Sequence, residues 1–522
     1  MPNSQGEALF TLITSLSKAE KRNFSLYTKR LQGEGDIKFL QLFNHMEKLQ
    51  DYDEEALRLK MGDINKTQFT NLRRSLYQHL LTSLRLVAIN KRRDFQIREL
   101  IDYAYILYGK GLYLQALKLL QKAKGMAMLL HRDILHLEII EFEKRIQSRH
   151  ITRSSTDSIQ RLMQEASLRQ RVNANLAEWS NLKLLLQRLF INEGHLPGEA
   201  GKARVDALFE SKAPRPDHPA TFFERVYRCE SFFWRHYLAL DLNQCLDQAR
   251  EWVDLFRQKP TMIAYDVDMY LRGLNHLLTT AFYTANHTLL SETLDELESF
   301  CRQQHKKFLP NSRIIAFLYR YQGKLNKCFL SGAFDEGARK ILPRLQEGLR
   351  EYGPHLDQHK VMIMDYKIAW LHLARGKADQ AVELLQPFTF QDAVHLREEM
   401  QSFAHIMLLM AHYELGNFDL LPYLLRLTRT AMDKMKRPGT LPVRMVAFFQ
   451  QVHRLDHARA RTAFVELRPE LQRMAENPDL RRECIFLDAL SWVEAQIEQQ
   501  PLQEVIRKKF QMQRQAEPAS KH

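Results

Sequence analysis

A turn signal recurs along this chain at a nearly constant spacing. It stands at positions 194, 240, 286, 332, 376 and 416, which lie 46, 46, 46, 44 and 40 residues apart. Between these positions apolar residues recur at steps of three or four, which is typical of helices. A repeat of this length indicates helical hairpins stacked in a row, because one hairpin alone cannot bury its apolar face. We therefore predict an all-α fold, an α-solenoid of stacked antiparallel helical hairpins with a period of about 40–46 residues.

The clearest repeat lies between Tyr103 and Ala123. Gly111 marks its turn, because glycine readily adopts the left-handed conformation that ends a helix. Small residues such as Ala104 and Ala116 allow the two helices of a hairpin to approach closely. The same arrangement of a turn glycine followed by packing residues recurs at Gly332, Phe334, Gly337 and Ile341, at Gly376, Ala378, Ala381 and Leu385, and at Gly416, Phe418, Leu421 and Leu425.

This arrangement resembles the second half of a tetratricopeptide repeat. The resemblance covers about residues 95–465 and implies a helical-repeat architecture, with helices longer than those of the 34-residue family repeat. The opening of the chain, "LITSLSKAEKRNFSLYTKR" and the short helices after it, resembles that of a group of uncharacterised bacterial helical proteins. That second resemblance implies no activity.

Three regions are expected from these patterns. Residues 1–95 form a basic helical N-terminal region with a helix-turn-helix-like outline. Residues 96–505 form the tetratricopeptide-like solenoid, and residues 506–522 form a polar tail that we expect to fray.

Composition narrows the class of protein. The net charge is +14, which permits nucleic acid, anionic membrane or acidic protein partners but also fits a solvated basic surface. The five cysteines show no C-x-x-C spacing, so we expect reduced thiols and no zinc site or disulfide framework. No window approaches the roughly 20 apolar residues that a membrane span needs, and the N-terminus is a poor signal peptide. We expect a cytoplasmic protein without a membrane partner.

The N-terminal region offers a candidate nucleic-acid site. A short helix, a tight turn at Gly62 and a long helix over about 66–87 follow one another, which is the outline of a helix-turn-helix. Residues 1–98 contain 17 Lys and Arg against 11 Asp and Glu, so they hold +6 of the net charge. Arg, Asn and Gln are the residue types that read base edges. The alternative interpretation is a capping hairpin with a solvated basic face. The candidate nucleic-acid-binding residues are Lys66, Gln68, Asn71, Arg73, Arg74, Gln78, Arg85, Lys91, Arg92 and Arg93.

Two histidine arrangements are candidate sites. His355 and His359 would share one face if helical and could bind a metal, although no third ligand is suggested. Glu398, His405 and His412 are spaced by seven and could form a polar stripe, or the histidines could simply be buried where hairpins pack. The spacing does not decide the role of this stripe, and no metal or cofactor is predicted.

Function is predicted only as a class. The nucleotide-binding, zinc-protease and serine-hydrolase motifs are absent from the sequence, so we expect no enzyme. The leading prediction is a protein-interaction scaffold that binds a protein or peptide partner on the solenoid surface. The alternative is a nucleic-acid-binding regulator that uses the N-terminal helices and senses a partner with the solenoid.

Overall fold

The computed structural model of the protein describes residues 5–31, 38–62, 64–149, 156–215, 218–390, 398–433, 435 and 439–516. Helices make up 86% of the chain, and no strand occurs in these ranges. Consecutive helices pack side by side as hairpins, which confirms the predicted all-α, solenoid-like fold. Residue contacts divide the chain into two compact units, Met1–Asn173 and Ala174–His522.

Unit 1 contains the basic N-terminal helices and the first hairpins. Its helices are α1 (Gln5–Ser15), α2 (Lys18–Leu31), α3 (Lys38–Met46), α4 (Glu54–Lys60), α5 (Lys66–Lys91), α6 (Arg93–Gly109), α7 (Tyr113–Leu129) and α8 (Asp133–Arg149), followed by α9 (Thr156–Glu193), which continues into unit 2. The division falls inside α9 and not near residue 95. The reason is that α5 packs against α6, so the N-terminal helices and the first hairpin share contacts.

The first five helices enclose a small apolar core. Phe69, Leu76 and Leu80 of α5 are fully buried there, as the apolar stripe on that helix predicts. They pack with Phe24 of α2 and Phe43 of α3. One side of α5 is therefore committed to the core, and its other side is left for solvent or a partner.

Unit 2 contains the regular hairpins. Its helices are α10 (Gly198–Lys212), α11 (Phe222–Leu238), α12 (Leu242–Gln258), α13 (Pro260–Tyr265), α14 (Val267–Tyr283), α15 (His287–Gln304), α16 (Pro310–Ser331), α17 (Phe334–Glu336), a π-helical turn (Gly337–Ile341), α18 (Leu342–Tyr352), α19 (Gln358–Ala374), α20 (Ala378–Phe390), α21 (Glu398–Glu414), α22 (Leu421–Asp433), α23 (Thr440–Val452), α24 (His457–Glu476), α25 (Arg481–Phe486), α26 (Ala489–Glu498) and α27 (Leu502–Ala516). Short 3-10 turns, His305–Lys307 and Gly353–His355, lie between some of them.

The hairpin turns of the described chain share one backbone motif. In eight of them an amide donates to the carbonyl five residues earlier, at 2.8–3.2 Å, which is the bond of a Schellman cap. The residue before that amide has a φ of 51–78°. These residues are Gly111, His131, Leu240, Ala285, Gly332, Gly376, Gly416 and Gln499. The predicted turns near 240 and 286 are therefore real turns, although a leucine and an alanine occupy the position that glycine holds elsewhere.

Small residues lie where the helices of a hairpin meet. Ala116 of α7, Ala381 of α20 and Leu385 of α20 are fully buried, as we expected. Each hairpin of unit 2 also packs on the next, for example α20 on α21 and α12 on α14. The buried apolar residues of unit 2 form two core clusters, one within residues 179–316 and one within residues 317–506.

The C-terminal segment returns to earlier hairpins of unit 2. Helix α25 contacts α14 and α23, and α27 packs against α16. The ring of Phe486 stacks on Tyr366 of α19 with centroids 4.8 Å apart and contacts Phe403 of α21. Helices α14, α16, α19, α21 and α23 are the first helices of successive hairpins, and we call the surface that they form the first-helix face. Residues 481–510 therefore cover part of that face.

The end of the chain differs from the expected polar tail. Residues up to Ala516 belong to α27, and its Phe510 ring lies 4.6 Å from the ring of His287. Buried Val505 and Ile506 attach this helix to the core. The remaining residues of the expected tail, 517–522, lie outside the described residues.

Candidate binding surfaces

The outer side of α5 carries part of the predicted nucleic-acid site. Asn71, Arg74 and Gln78 are exposed there, and none of these side chains has a hydrogen-bond or ion-pair partner among the described residues. Lys66 is also exposed, at the start of the helix. These four residues lie at helical spacing on the N-terminal half of α5, so their side chains are available to a ligand.

Other members of the predicted set have partners inside unit 1. Gln68 accepts from the Asn65 amide as half of a capping box. Arg73 donates to the Tyr52 hydroxyl at 2.8 Å and to Glu54 at 2.6 Å, and only 12% of its side chain is exposed. These contacts join α4 to α5, so Arg73 is a structural residue of this bundle.

The remaining members lie at the second half of α5 and its junction with α6. Arg85 forms an exposed ion pair with Asp102 of α6 at 2.6 Å. Arg92 lies over the ring of Phe95, and Arg93 donates to Gln96 at 3.0 Å. The side chain of Lys91 lies outside the described residues. Exposed apolar side chains are interspersed with them on this helix, at Tyr77, Leu81 and Leu86.

The histidine stripe on α21 is mostly a packing feature. His405 is buried, and its Nδ1 lies 3.3 Å from the hydroxyl of Thr428 on α22. Burial lowers the pKa of His405 to about 4, so the ring is neutral at pH 7. His412 is half-buried, and the Asn417 amide lies 3.1 Å from its Nδ1. The side chain of Glu398 lies outside the described residues.

The second histidine pair does not share a helical face. His355 ends a 3-10 turn, whereas His359 is in the first turn of α19. Among the described residues no group of three or more His, Cys, Asp or Glu side chains is arranged to hold a metal ion.

A buried charge network joins α7, α8 and α9 within unit 1. Lys124 Nζ lies 2.6 Å from Glu143 and 3.0 Å from Glu165, and His136 Nε2 lies 2.7 Å from the other Glu165 oxygen. The hydrogen bond with His136 lowers the pKa of Glu165 to about 2, while burial raises the pKa of Glu143. The charges satisfy one another, so the network holds three helices together and leaves no group directed at a ligand.

Exposed apolar side chains flank two turns of unit 1, which lie at opposite ends of α7. The most exposed are Leu114 at 66%, Leu129 at 71% and Ile134 at 74%. Leu114 follows the α6–α7 turn, whereas Leu129 and Ile134 flank the α7–α8 turn. Eight large apolar side chains with high exposure lie within 32 residues: Tyr103, Tyr105, Ile106, Leu112, Leu114, Met128, Leu129 and Ile134. Met128, Leu129 and Ile134 flank the same α7–α8 turn, and we call these three residues the turn cluster. Sequence reasoning missed it, although runs such as "GMAMLLHRDIL" hold more apolar residues than one buried face requires.

Within the described ranges, no helix is long and apolar enough to cross a membrane. Comparison of the chain with protein families, with curated proteins and with solved structures finds no match.

Proposed function

We propose that this protein is a non-enzymatic interaction scaffold that binds a protein partner through the turn cluster of unit 1. The observation that carries the proposal is the exposure of Met128, Leu129 and Ile134, at 54%, 71% and 74%, around a single turn. Scattered apolar side chains are normal on a protein surface, but a contiguous group is typical of an interaction site. Full burial of one such side chain contributes about 1.5–3 kcal/mol.

The first-helix face of unit 2 is a weaker candidate for the partner site. Phe486 and the buried side chain of Arg482 already pack into it, with the Arg482 guanidinium 5.3 Å from the Tyr283 ring centroid. A partner would have to displace these contacts before it could bind to the covered part of this face. The turn cluster needs no such displacement.

The test is a pair of matched variants. Leu129→Ser with Ile134→Ser removes two side chains of the turn cluster, whereas Leu59→Ser removes one that is 82% exposed on α4 outside it. Proteins cross-linked to the full-length chain in its source cell would be quantified by mass spectrometry. We expect the amount of each protein that cross-links to the parent chain to fall at least about tenfold with the double variant. With Leu59→Ser this amount should stay the same.

Two outcomes would contradict the scaffold proposal. One is an unchanged set of cross-linked proteins with the double variant. The other is a concentration-dependent dimer, measured by light scattering, that the double variant abolishes while no other protein is cross-linked. The cluster would then be a contact between copies of the chain.

A second candidate function is nucleic-acid binding by α5. Asn71, Arg74 and Gln78 favour it because they present base-reading side chains without partners among the described residues. Anisotropy of a labelled 20-base-pair duplex and of a single-stranded RNA would measure it at several salt concentrations. Affinity should fall steeply with salt, since neutralised phosphates release counterions.

Three arginine variants distinguish a specific binding site on α5 from nonspecific attraction of nucleic acid to the basic surface. Arg74→Ala should weaken binding, while Arg429→Ala, an exposed arginine on α22, should not. Arg85→Ala should have a smaller effect than Arg74→Ala because Arg85 is paired with Asp102. If neither nucleic acid binds at low salt, this second candidate is wrong.

A further inference from the structure

A cavity of about 240 Å³ opens in unit 2 between the end of α15, the first half of α16 and α18. Its floor is aromatic. Phe308, Phe317 and Tyr321 are buried there, and the Phe317 and Tyr321 ring centroids lie 4.9 Å apart. A fourth ring, that of Tyr352, lies at one side with its centroid 5.2 Å from that of Phe317. The floor thus offers ring faces on which a flat apolar group can pack.

Three arginines stand at the rim of this cavity. They are Arg313 and Arg320 on α16 and Arg344 on α18. Arg320 is paired with Glu298 at 3.3 Å, an acid that Lys324 also contacts at 2.5 Å. Arg313 and Arg344 have no ion-pair partner in the part of the chain that the structure describes. The guanidinium groups of these two arginines are therefore not held in an ion pair beside the aromatic floor.

The arginines also leave donors unsatisfied. The Nε atoms of Arg313 and Arg320 are buried and have no hydrogen-bond acceptor within the described chain. A buried donor without an acceptor costs about 1–3 kcal/mol, more when it is charged. Because these two Nε atoms are closed to solvent, an anionic ligand would bind through the terminal guanidinium nitrogens, and a planar guanidinium fits a carboxylate or phosphate with two parallel hydrogen bonds.

We propose that this cavity binds a small organic anion that carries one carboxylate or one phosphate monoester on a single aromatic ring. The cavity volume of about 240 Å³ lies just below the roughly 300–1,000 Å³ of sites for drug-sized ligands, so it suits a smaller ligand with one ring. Glu347 and Glu351 of α18 also line the rim. Their negative charge disfavours ligands with several phosphates. Their carboxylate oxygens can accept hydrogen bonds from hydroxyl or amine substituents of a ligand.

A larger cavity elsewhere in unit 2 provides a contrast. It measures about 450 Å³ and is lined by Tyr413, Phe464 and three glutamines among other residues, with Arg461 as its one charged lining residue. It combines neither several arginines nor unsatisfied guanidinium donors. The arginine cavity is therefore the site with a definite ligand chemistry.

The test is isothermal titration calorimetry of the full-length protein with phenyl phosphate, benzoate, inorganic phosphate and the neutral benzyl alcohol. We expect at least one anion to bind with a Kd of about 1 mM or below and the alcohol not to bind. Binding of phenyl phosphate alone assigns a phosphate monoester, and binding of benzoate alone assigns a carboxylate. Failure of both anions, equal binding of the alcohol, or equal binding of inorganic phosphate would overturn the proposal.

Matched variants locate the binding. Arg344→Gln should raise the Kd of the anion at least about tenfold, because a hydrogen bond to a charged group is lost. Arg350→Gln, on the exposed side of the same helix, should leave the Kd unchanged. Arg344 is itself exposed, so its variant should melt like the parent. An unchanged Kd with Arg344→Gln and with Arg313→Gln would place the anion elsewhere and sink the assignment.

Discussion

The indole Nε1 of Trp492 donates a hydrogen bond to Glu414 at 2.9 Å, across 78 positions of the chain. Trp492 is fully buried, and the rings of Tyr413, Phe449 and Phe464 surround it with centroids 5.4–5.9 Å away. The last hairpin of unit 2 is thus attached to α21 through a buried carboxyl group. Burial raises the pKa of Glu414 to about 7, while the hydrogen bond from Trp492 acts in the opposite direction.

Glu414→Gln should stabilise unit 2 at pH 8. The folded pKa of about 7 lies above the ordinary glutamate value of 4.5, so ionisation of Glu414 costs stability as the pH rises from 4.5 through 7. Glutamine keeps the acceptor for Trp492 and carries no charge. We expect a gain of up to about 3 kcal/mol in urea unfolding at pH 8 and almost none at pH 4.5.

An exposed acid on α24 provides the control for this change. Glu466→Gln should leave the unfolding free energy unchanged at both pH values. A destabilised Glu414→Gln at pH 8 would mean that the carboxylate is needed in its charged form.

Lys367 should make the free energy of unfolding depend on pH in the opposite direction. Its Nζ donates to Asn326 at 2.6 Å and lies 5.1 and 5.4 Å from the ring centroids of Phe282 and Phe329. Burial lowers the pKa of Lys367 to about 7 from 10.5. The charged form is therefore disfavoured in the folded state, and stability should rise as the pH increases from 7 towards 10.5.

Lys367→Met should flatten this rise. The measure is the change in unfolding free energy between pH 7 and pH 10, because the absolute stability also changes when Asn326 loses its donor. Lys360→Met, at an exposed position of the same helix, should retain the pH dependence of the parent. A slope that survives in Lys367→Met would show that another group causes it.

The sequence predicts the hairpin turns better than it predicts what the end of the chain contacts. Gly111, Gly332, Gly376 and Gly416 are local signals, because each needs only its own φ to end a helix. Leu240 adopts the same conformation without glycine, and only the regular spacing pointed to it. The regular spacing therefore carried information that single residues lacked.

Contacts between distant segments were beyond the sequence pattern. The stacking of Tyr366 with Phe486 joins residues 120 positions apart, and neither residue stands in a recognisable motif. The arginine cavity likewise needs Arg313 and Arg344 from two helices that only the folded chain brings together. Arg73 was predicted to face a ligand, but its neighbours Tyr52 and Glu54 bind it instead. Helical periodicity assigns a residue to a face and does not say what that face meets.

Ala381→Leu tests the close approach of α19 and α20. Ala381 is fully buried, so a larger side chain should force the helices apart and cost about 1–3 kcal/mol. Gln380→Leu adds the same side chain at the exposed neighbouring position and should cost less than about 0.5 kcal/mol. Thermal and urea unfolding of both variants provide the comparison. If Ala381→Leu melts like the parent, the space between these helices is larger than the structure shows.

Gly332→Ala and Gly376→Ala test whether α27 packs against the turn at the end of α16. Both glycines have a φ near 70°, so alanine should cost each turn about 1–2 kcal/mol. A Cβ on Gly376 would meet nothing within 4 Å, whereas a Cβ on Gly332 would lie 2.7 Å from the backbone nitrogen of Arg507. Backbone cannot rotate away as a side chain can, so α27 must shift in Gly332→Ala. We expect this variant to lose more stability than Gly376→Ala and to show faster amide hydrogen exchange in residues 502–516. Equal losses, with exchange in α27 unchanged, would mean that the C-terminal helix does not rest on this turn in solution.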